Sequence, residues 1–138
     1  MQLEVDGRVA YAYTGGKALD TTLPTVVFVH GAQSDHSVWI LQSRYLAHHG
    51  YGVLAVDLPG HGRSAGPLLD SVEAMAAWIG KLMSAAGIRQ ATVVGHSMGS
   101  LIAVELAGTE PDRVGRAVLV GSAYPMRVSD ALLAAARD

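Results

Sequence analysis

A serine flanked by glycines is the strongest chemical signal in this 138-residue sequence. The segment Gly95-His96-Ser97-Met98-Gly99 directly follows a predicted strand and directly precedes a predicted helix. A reversal this sharp presses the chain against itself at both flanks, where a Cβ would clash, and it strains the central residue. The pattern therefore predicts an exposed Ser97 hydroxyl on a turn shaped by Gly95, His96 and Gly99. A glycine-rich turn with an incidental serine is the alternative.

Two backbone amides are candidates for stabilising negative charge beside that hydroxyl. A helix that begins at Met98 directs its free N–H groups and the positive end of its dipole toward whatever bonds to Ser97. His30-Gly31-Ala32 ends another predicted strand, at the edge where loops of a parallel sheet form ligand crevices. The N–H groups of Met98 and Ala32 could together hold an oxyanion, and Gly31 allows the close approach. We expect the His30 imidazole to bond loop backbone, with substrate contact as the alternative.

A third loop at the same edge spans residues 57–64, with the sequence DLPGHGRS. Its proline and two glycines are typical of a tight, turn-rich connection. We expect Asp57 to brace this loop, because carboxylate oxygens at strand ends readily accept bonds from nearby N–H groups. His61 and Arg63 are interpreted as structural, solvent-facing loop residues rather than catalytic ones.

The sequence predicts no metal site and no cofactor. The absence of cysteine excludes a thiolate zinc site, and His36, His48 and His49 form no pair at metal-ligand spacing. The glycines match neither the phosphate-cradling nor the dinucleotide-binding pattern. Ten basic and twelve acidic residues give a net charge of −2 with scattered signs. This balance offers no basic stripe for nucleic acid or anionic lipid.

Hydrophobic periodicity indicates which elements position these residues. Short apolar runs alternate with longer helical patterns, which is typical of a mostly parallel sheet with helices on both faces. We predict buried strands at 25–30, 53–57, 92–95 and 117–121. An antiparallel hairpin from segments 2–5 and 9–13 is expected to precede them, because Asp6-Gly7 favours a tight turn. The fold class is therefore α/β, with about six strands in one domain over residues 1–138.

Four helical segments are predicted between and after these strands. The first spans 37–49, with an apolar stripe of Val38, Leu41, Tyr45 and Leu46. The second starts at a capping box formed by Asp70 and Glu73, with a stripe of Val72, Met75, Ala76, Ile79, Met83 and Ala86. The third, 98–107, is apolar almost all round and is expected to be buried on several sides. The fourth starts at Ser129.

The N-terminus has neither the basic nor the apolar region of a secretory leader. No apolar run approaches the ~18 residues that a membrane span needs. We therefore expect a cytoplasmic protein that does not bind membranes.

Taken together, these landmarks resemble the α/β-hydrolase superfamily, in particular its small bacterial serine-esterase branch. The matching segments follow the family order along nearly the whole chain: His30-Gly31, Trp39, residues 57–64, the turn around Ser97, and Pro111-Asp112-Arg113-Val114 before the last strand. The resemblance implies that Ser97 is the nucleophile and that Met98 and Ala32 form the oxyanion hole. It also implies transfer of a small-molecule acyl group to water through an acyl-enzyme, without a cofactor.

The family places a triad acid and then a histidine after the nucleophile. Here the last histidine is His96, one residue before Ser97. Asp112, on the far edge of the sheet, and Asp130, at the start of the last helix, do not fit the position of a triad acid. We therefore predict that residues 1–138 form the N-terminal part of the family core, without its cap and C-terminal strands.

Two alternatives remain open. His30 or His61 from the neighbouring loops could replace the missing base, provided that it reaches hydrogen-bond distance of Ser97. Alternatively, the chain could be a catalytically silent binding or assembly module derived from a hydrolase. In either case strand 117–121 becomes a sheet edge with unpaired backbone groups. This edge predicts a homo-oligomer or a complex with a complementary C-terminal fragment.

Overall fold

The chain opens with a β-hairpin, as predicted from Asp6-Gly7. The computed structural model describes residues 1–126 and 128–137. Strand β1 (Gln2–Val5) pairs antiparallel with β2 (Arg8–Tyr13). Asp6 and Gly7 adopt positive φ angles of 52° and 74°, the left-handed conformation that this two-residue turn requires.

Four parallel strands complete a six-stranded sheet in the order β1-β2-β4-β3-β5-β6. They are β3 (Thr25–Val29), β4 (Gly52–Val56), β5 (Ala91–His96) and β6 (Val114–Val120). The helical elements are a short 3-10 helix (His36–Trp39), α1 (Ile40–Ala47), α2 (Val72–Ala85), α3 (Met98–Thr109) and α4 (Asp130–Arg137). The prediction of a mostly parallel α/β sheet is confirmed. None of the helices within the described residues is long and apolar enough to cross a lipid bilayer.

The central strand β3 packs an apolar cluster on each face of the sheet. Val27 and Val29 point to one side, where they join buried residues of α2 and α3 in the larger cluster. Val26 and Phe28 point to the other side and join Trp39 and Ala47, which come from the 3-10 helix and α1. This alternation follows from the period-2 geometry of a strand and places helices on both faces of the sheet.

The predicted apolar stripe of the first helix was wrong for Val38, Leu41 and Tyr45, whereas Leu46 is half-buried and packs against the cluster of Trp39 and Ala47 as predicted. Leu41 is 77% exposed and Tyr45 62% exposed, and Val38 also faces solvent. The buried residues of this segment are Trp39, Ser43 and Ala47, and residues 36–39 form a 3-10 turn before α1 begins. Trp39 and the small residues Ser43 and Ala47 allow α1 to pack close to the sheet. The face of α1 that is buried is therefore set by these residues and not by the spacing of its larger apolar side chains.

The start of α2 also differs from the prediction. The N-cap is Ser71, whose hydroxyl accepts a hydrogen bond from the Ala74 N–H at 3.0 Å, so Asp70 is not the capping residue. The predicted stripe itself is confirmed, since five of its six residues are buried: Met75, Ala76, Ile79, Met83 and Ala86.

Strand β6 is more exposed than predicted. It begins at Val114 rather than at residue 117, and it pairs with β5 on one side only. Val118, Leu119 and Val120 are each more than 40% exposed, so the prediction of a fully buried strand was wrong, whereas the prediction that this strand becomes a sheet edge is confirmed. β5 is only partly buried, and Val104 on the neighbouring helix α3 is half exposed. The physical reason is the position of β6 at the end of the sheet, where no strand of the described residues pairs with its outer side.

Candidate active site

Ser97 is the single residue between the end of β5 and the start of α3, at the carboxyl edge of the sheet. Its backbone has φ 54° and ψ −120°, a strained conformation for a residue with a side chain. Its N–H donates to the Val120 carbonyl at 3.0 Å, and its carbonyl accepts from the N–H of Ser100 at 2.9 Å and from the Ser100 hydroxyl at 2.5 Å. These bonds to both neighbouring elements hold the strained turn in place.

The two flanking glycines are required by close backbone packing. A Cβ on Gly95 would overlap the carbonyl of Gly99. A Cβ on Gly99 would overlap the carbonyl of Val29 and lie 2.7 Å from that of His30. Helix α3 therefore packs directly against the ends of β5 and β3, which brings its N-terminus to Ser97.

The loop after β3 lies directly against this turn. A Cβ built on Gly31 would be 3.3 Å from the Ser97 Cβ. Within residues 1–126 and 128–137, the N–H groups of Ala32 and Met98 donate no hydrogen bond. Met98 begins α3, so its N–H belongs to the positive end of that helix. The structure thus brings the predicted loop to Ser97 and leaves both predicted donors unpaired.

His30 is completely buried and is bonded only to backbone. Its Nδ1 lies 2.7 Å from the Gly31 carbonyl, and its Nε2 accepts from the Leu58 N–H at 3.1 Å. Burial lowers the pKa of this imidazole below its usual 6.5, because a charged ring would lose its solvation. The expectation that His30 bonds loop backbone is confirmed, and a ring with both nitrogens engaged is not available as a base for Ser97.

Asp57 connects the two loops at this edge, as expected of a brace. Its buried carboxylate accepts from the His36 N–H at 2.7 Å and from the Arg63 N–H at 2.9 Å. The His36 Nδ1 lies 2.9 Å from the same group. Sequence reasoning did not predict this pair, since nothing in the local pattern relates residues 21 positions apart.

His36, Asp57 and Asp35 also form a cluster whose ligand-type atoms lie within 4.8 Å of one another. The sequence analysis predicted no metal site at these residues. Asp35 accepts from the Ser37 N–H at 2.8 Å and so caps the 3-10 helix, while both Asp57 oxygens accept backbone N–H groups. Each of these carboxylates therefore has a structural hydrogen-bonding role.

His61 and Arg63 lie on the outer part of the same loop, as predicted. The Arg63 guanidinium is exposed and lies 4.9 Å from the centre of the Tyr11 ring. The His61 Nδ1 lies 3.1 Å from the Pro59 carbonyl, and its ring is 5.0 Å from that of His30. His61 is half-buried, so it is less exposed than expected.

The hydroxyl of Ser97 lacks a basic partner in the part of the chain that the structure describes. Its Oγ donates to the Met126 Sδ at 3.8 Å, and no histidine among those residues bonds it. His96 points outward, with its ring 6.4 Å from that of Trp39. Asp112 lies near Gln90, at the opposite end of β5 from Ser97. The contact with Met126 had no signal in the sequence.

Comparison with known proteins agrees with this geometry. A family model described as alpha/beta hydrolase fold matches residues 24–137. The chain is 42% identical over 131 residues to the dihydrolipoyllysine-residue acetyltransferase component of the acetoin cleaving system of Cupriavidus necator, covering 94% of this chain and 33% of that protein. It is 39% identical over 105 residues to a non-heme chloroperoxidase of Streptomyces lividans, covering 75% of this chain and 38% of the relative.

A solved structure, that of a membrane phospholipase A described as a bacterial virulence factor, superposes with a TM-score of 0.82 at 29% identity. The match covers 99% of this chain and 44% of the phospholipase chain. The chain thus spans from a third to less than half of the length of the proteins that it matches. The fold, the turn at Ser97 and the family match over residues 24–137 together show that this chain belongs to the α/β-hydrolase family.

Proposed function

We propose that this chain carries the nucleophile and the oxyanion hole of a serine hydrolase that cleaves carboxylic esters or related acyl bonds of small molecules. The observation that supports this most is the local geometry of Ser97: a strained residue at the N-terminus of α3, beside two N–H groups that have no partner among the described residues. Such donors stabilise charge that develops on an acyl oxygen. A serine at this position favours acyl transfer through an ester intermediate.

In the proposed reaction the Ser97 Oγ attacks the carbonyl carbon of the ester. The carbonyl oxygen becomes an oxyanion that accepts hydrogen bonds from the N–H groups of Met98 and Ala32. The tetrahedral intermediate collapses, the bond to the alcohol oxygen breaks, and that oxygen takes the proton that a base removed from Ser97. Water then attacks the acyl-enzyme by the same route, which releases the carboxylic acid and restores the serine hydroxyl.

The proposal requires a triad acid and a histidine other than the residues that the structure describes. The histidines that the structure describes are engaged elsewhere: His30 and His36 with the two loops, His61 with Pro59, and the rest on exposed surface. An unassisted serine hydroxyl is a weak nucleophile, so the activity of the protein depends on this additional base.

A fluorophosphonate probe tests whether Ser97 is activated. In the natural gene product that contains these residues, we expect the Ser97 Oγ to form a bond to phosphorus while the P–F bond breaks and fluoride leaves. Mass spectrometry of the digested protein locates the adduct. Ser97→Ala must remove the label, whereas Ser37→Ala, at an exposed serine of the 3-10 helix, must retain it. Labelling at other residues only, or no labelling, contradicts the proposal.

The second candidate function is a catalytically silent binding or assembly module. It is favoured by one observation, the hydrogen bond from the Ser97 Oγ to the Met126 sulfur, since a thioether cannot take a proton from the serine at neutral pH. Under this candidate the natural gene product hydrolyses no p-nitrophenyl acetate above background and is not labelled by the fluorophosphonate.

We also infer that the outer edge of β6 pairs with a further strand, either from a second copy or from a complementary C-terminal fragment. The support is its exposed apolar residues, Val118, Leu119 and Val120, at an uncovered end of the sheet. An apolar edge with unpaired backbone groups is a template for strand addition.

For the 138-residue chain at micromolar concentration, we expect light scattering to give the mass of a dimer or larger species. Leu119→Lys places a charge on the edge and should shift the population toward monomer. Val104→Lys replaces a half-exposed apolar residue of α3 and serves as the matched control, which should leave the mass unchanged. A monodisperse monomer in the unmodified chain contradicts self-pairing through this edge, and association that survives Leu119→Lys places the contact elsewhere.

A further inference from the structure

We propose that His30 is a positioning residue that orients the Ala32 N–H toward Ser97 by holding the peptide plane between Gly31 and Ala32. This inference rests on the proposed function, because the direction of that N–H matters to a reaction only if it receives the oxyanion. His30 itself touches neither Ser97 nor a substrate in this role. It acts through the backbone of the loop.

The first step of the argument is the bond between the His30 Nδ1 and the Gly31 carbonyl. This bond is 2.7 Å long and completely buried. The peptide unit that joins Gly31 to Ala32 is planar and trans, so its C=O and its N–H point in opposite directions. Holding the Gly31 oxygen on the ring therefore sets the direction of the Ala32 N–H. Rotation of this peptide would leave a buried donor unpaired on His30.

The second step is the tautomer of the ring. The His30 Nε2 accepts the Leu58 N–H at 3.1 Å, and a backbone amide can only donate. Nε2 is therefore unprotonated, and the single ring proton lies on Nδ1, where it points at the Gly31 oxygen. The loop after β4 thus selects the tautomer that orients the loop after β3. One imidazole couples the two loops.

The surroundings of the ring add a pH dependence with a definite sign. A protonated ring would direct an Nε2–H at the Leu58 N–H, which breaks the contact. Burial lowers the pKa, and His61 lowers it further, while the Gly31 bond, Asp57 and Asp35 favour the charged form. Because the folded pKa lies below the ordinary 6.5, the unfolded chain binds the proton first as the pH decreases. The free energy of unfolding and the order of the loop are therefore retained above pH 6.5, the ordinary pKa of the ring. Both decrease as the pH falls below 6.5 toward the lower pKa of the folded protein.

Two substitutions of His30 test whether its ring orients the peptide between Gly31 and Ala32 or only supports the loop. In His30→Asn the side-chain NH₂ can occupy the place of Nδ1 and donate to the Gly31 oxygen, but it does not reach Leu58. In His30→Gln the amide oxygen can occupy the place of Nε2 and accept from Leu58, but no donor reaches Gly31. Each variant loses one buried hydrogen bond, so a purely structural role predicts similar effects for both.

For p-nitrophenyl acetate we expect His30→Asn to retain kcat within about 3-fold of the unmodified protein. His30→Gln should lower kcat by about 10- to 100-fold with little change in KM, as expected when one oxyanion donor is misdirected but still present. His48→Gln, at an exposed histidine of the α1 end, is the control and should change neither constant. Equal losses of kcat in the Asn and Gln variants, or no loss in the Gln variant, overturn the inference.

An NMR measurement tests the inference without relying on catalysis. The Ala32 amide resonance and its hydrogen exchange rate should change in His30→Gln and remain close to those of the unmodified protein in His30→Asn. If this pattern appears and no protein hydrolyses ester, the proposed function fails and the positioning role stands. If ester is hydrolysed and His30→Gln leaves both kcat and the Ala32 amide unaltered, the positioning role fails and the function stands.

The unmodified protein provides a further check that does not depend on whether the variants fold. At neutral pH the ¹⁵N spectrum of His30 must show Nδ1 protonated and Nε2 unprotonated. The opposite tautomer, or a ring that is charged at neutral pH, overturns the inference.

Discussion

Ser97→Ala is expected to reduce the hydrolysis of p-nitrophenyl acetate by the natural gene product to the rate of buffer alone. With a complete triad, loss of the serine lowers kcat by about a million-fold, because without the hydroxyl no acyl-enzyme forms. The proposed oxyanion donors, the N–H groups of Met98 and Ala32, remain in this variant. They can assist only the direct attack of water on the ester, which proceeds at a small fraction of the rate of the unmodified protein. Initial rates of p-nitrophenol release measure the effect.

The same assay with Ser37→Ala should give rates equal to those of the unmodified protein, since this exposed serine lies on the 3-10 helix away from the turn. Circular dichroism must show that Ser97→Ala keeps the fold, as expected for removal of one half-buried hydroxyl. Turnover that persists in the Ser97→Ala protein would assign catalysis to another group and refute the nucleophile role.

Gly99→Ala is expected to have the largest effect on stability. Its new methyl group would overlap the carbonyl of Val29 and crowd that of His30, and both are backbone atoms that cannot move aside independently. Separating α3 from β3 to make room lowers the free energy of unfolding by at least about 3 kcal/mol, the upper end for overpacked sites. Urea denaturation followed by circular dichroism measures this change.

Gly108→Ala is the matched control because it makes the same substitution in the same helix. Among the described residues, and apart from its two chain neighbours and the backbone of α3 itself, no atom lies within 4 Å of the position of its new methyl group. Alanine favours the helix, so stability should increase by about 0.5 to 1 kcal/mol. If Gly99→Ala behaves like Gly108→Ala, the close packing of α3 against β3 is wrong, and with it the position of Ser97.

The sequence was sufficient to predict the elements whose signals are local. Asp6-Gly7 identifies the hairpin because both residues tolerate positive φ, and the apolar runs at β3 and β4 identify buried central strands. The signal for the turn at Ser97 is equally local: glycines on both sides of Ser97 reflect the close backbone contacts that the structure shows.

Features that depend on the position of an element in the fold could not be read in the same way. The apolar residues of β6 have the composition of a central strand, and only the resemblance to the family, not that composition, predicted that β6 lies at the edge of the sheet. The exposed side chains of α1 have helical spacing, but Trp39 and Ala47 make the contact with the sheet. The His36–Asp57 pair and the contact of Ser97 with Met126 join residues distant in sequence, which periodicity cannot relate.

The two parts of the candidate site are supported by different layers of the fold, since each is attached to the apolar cluster on one face of the sheet. Ser97 and Met98 belong to the end of α3, whose side chains lie in the larger cluster, whereas the loop of Ala32 leads into the 3-10 helix and α1 on the smaller one. Local opening of the smaller layer would therefore displace one of the two proposed oxyanion donors while Ser97 keeps its place. Under the proposed function, such partial opening would impair catalysis well before the protein as a whole unfolds.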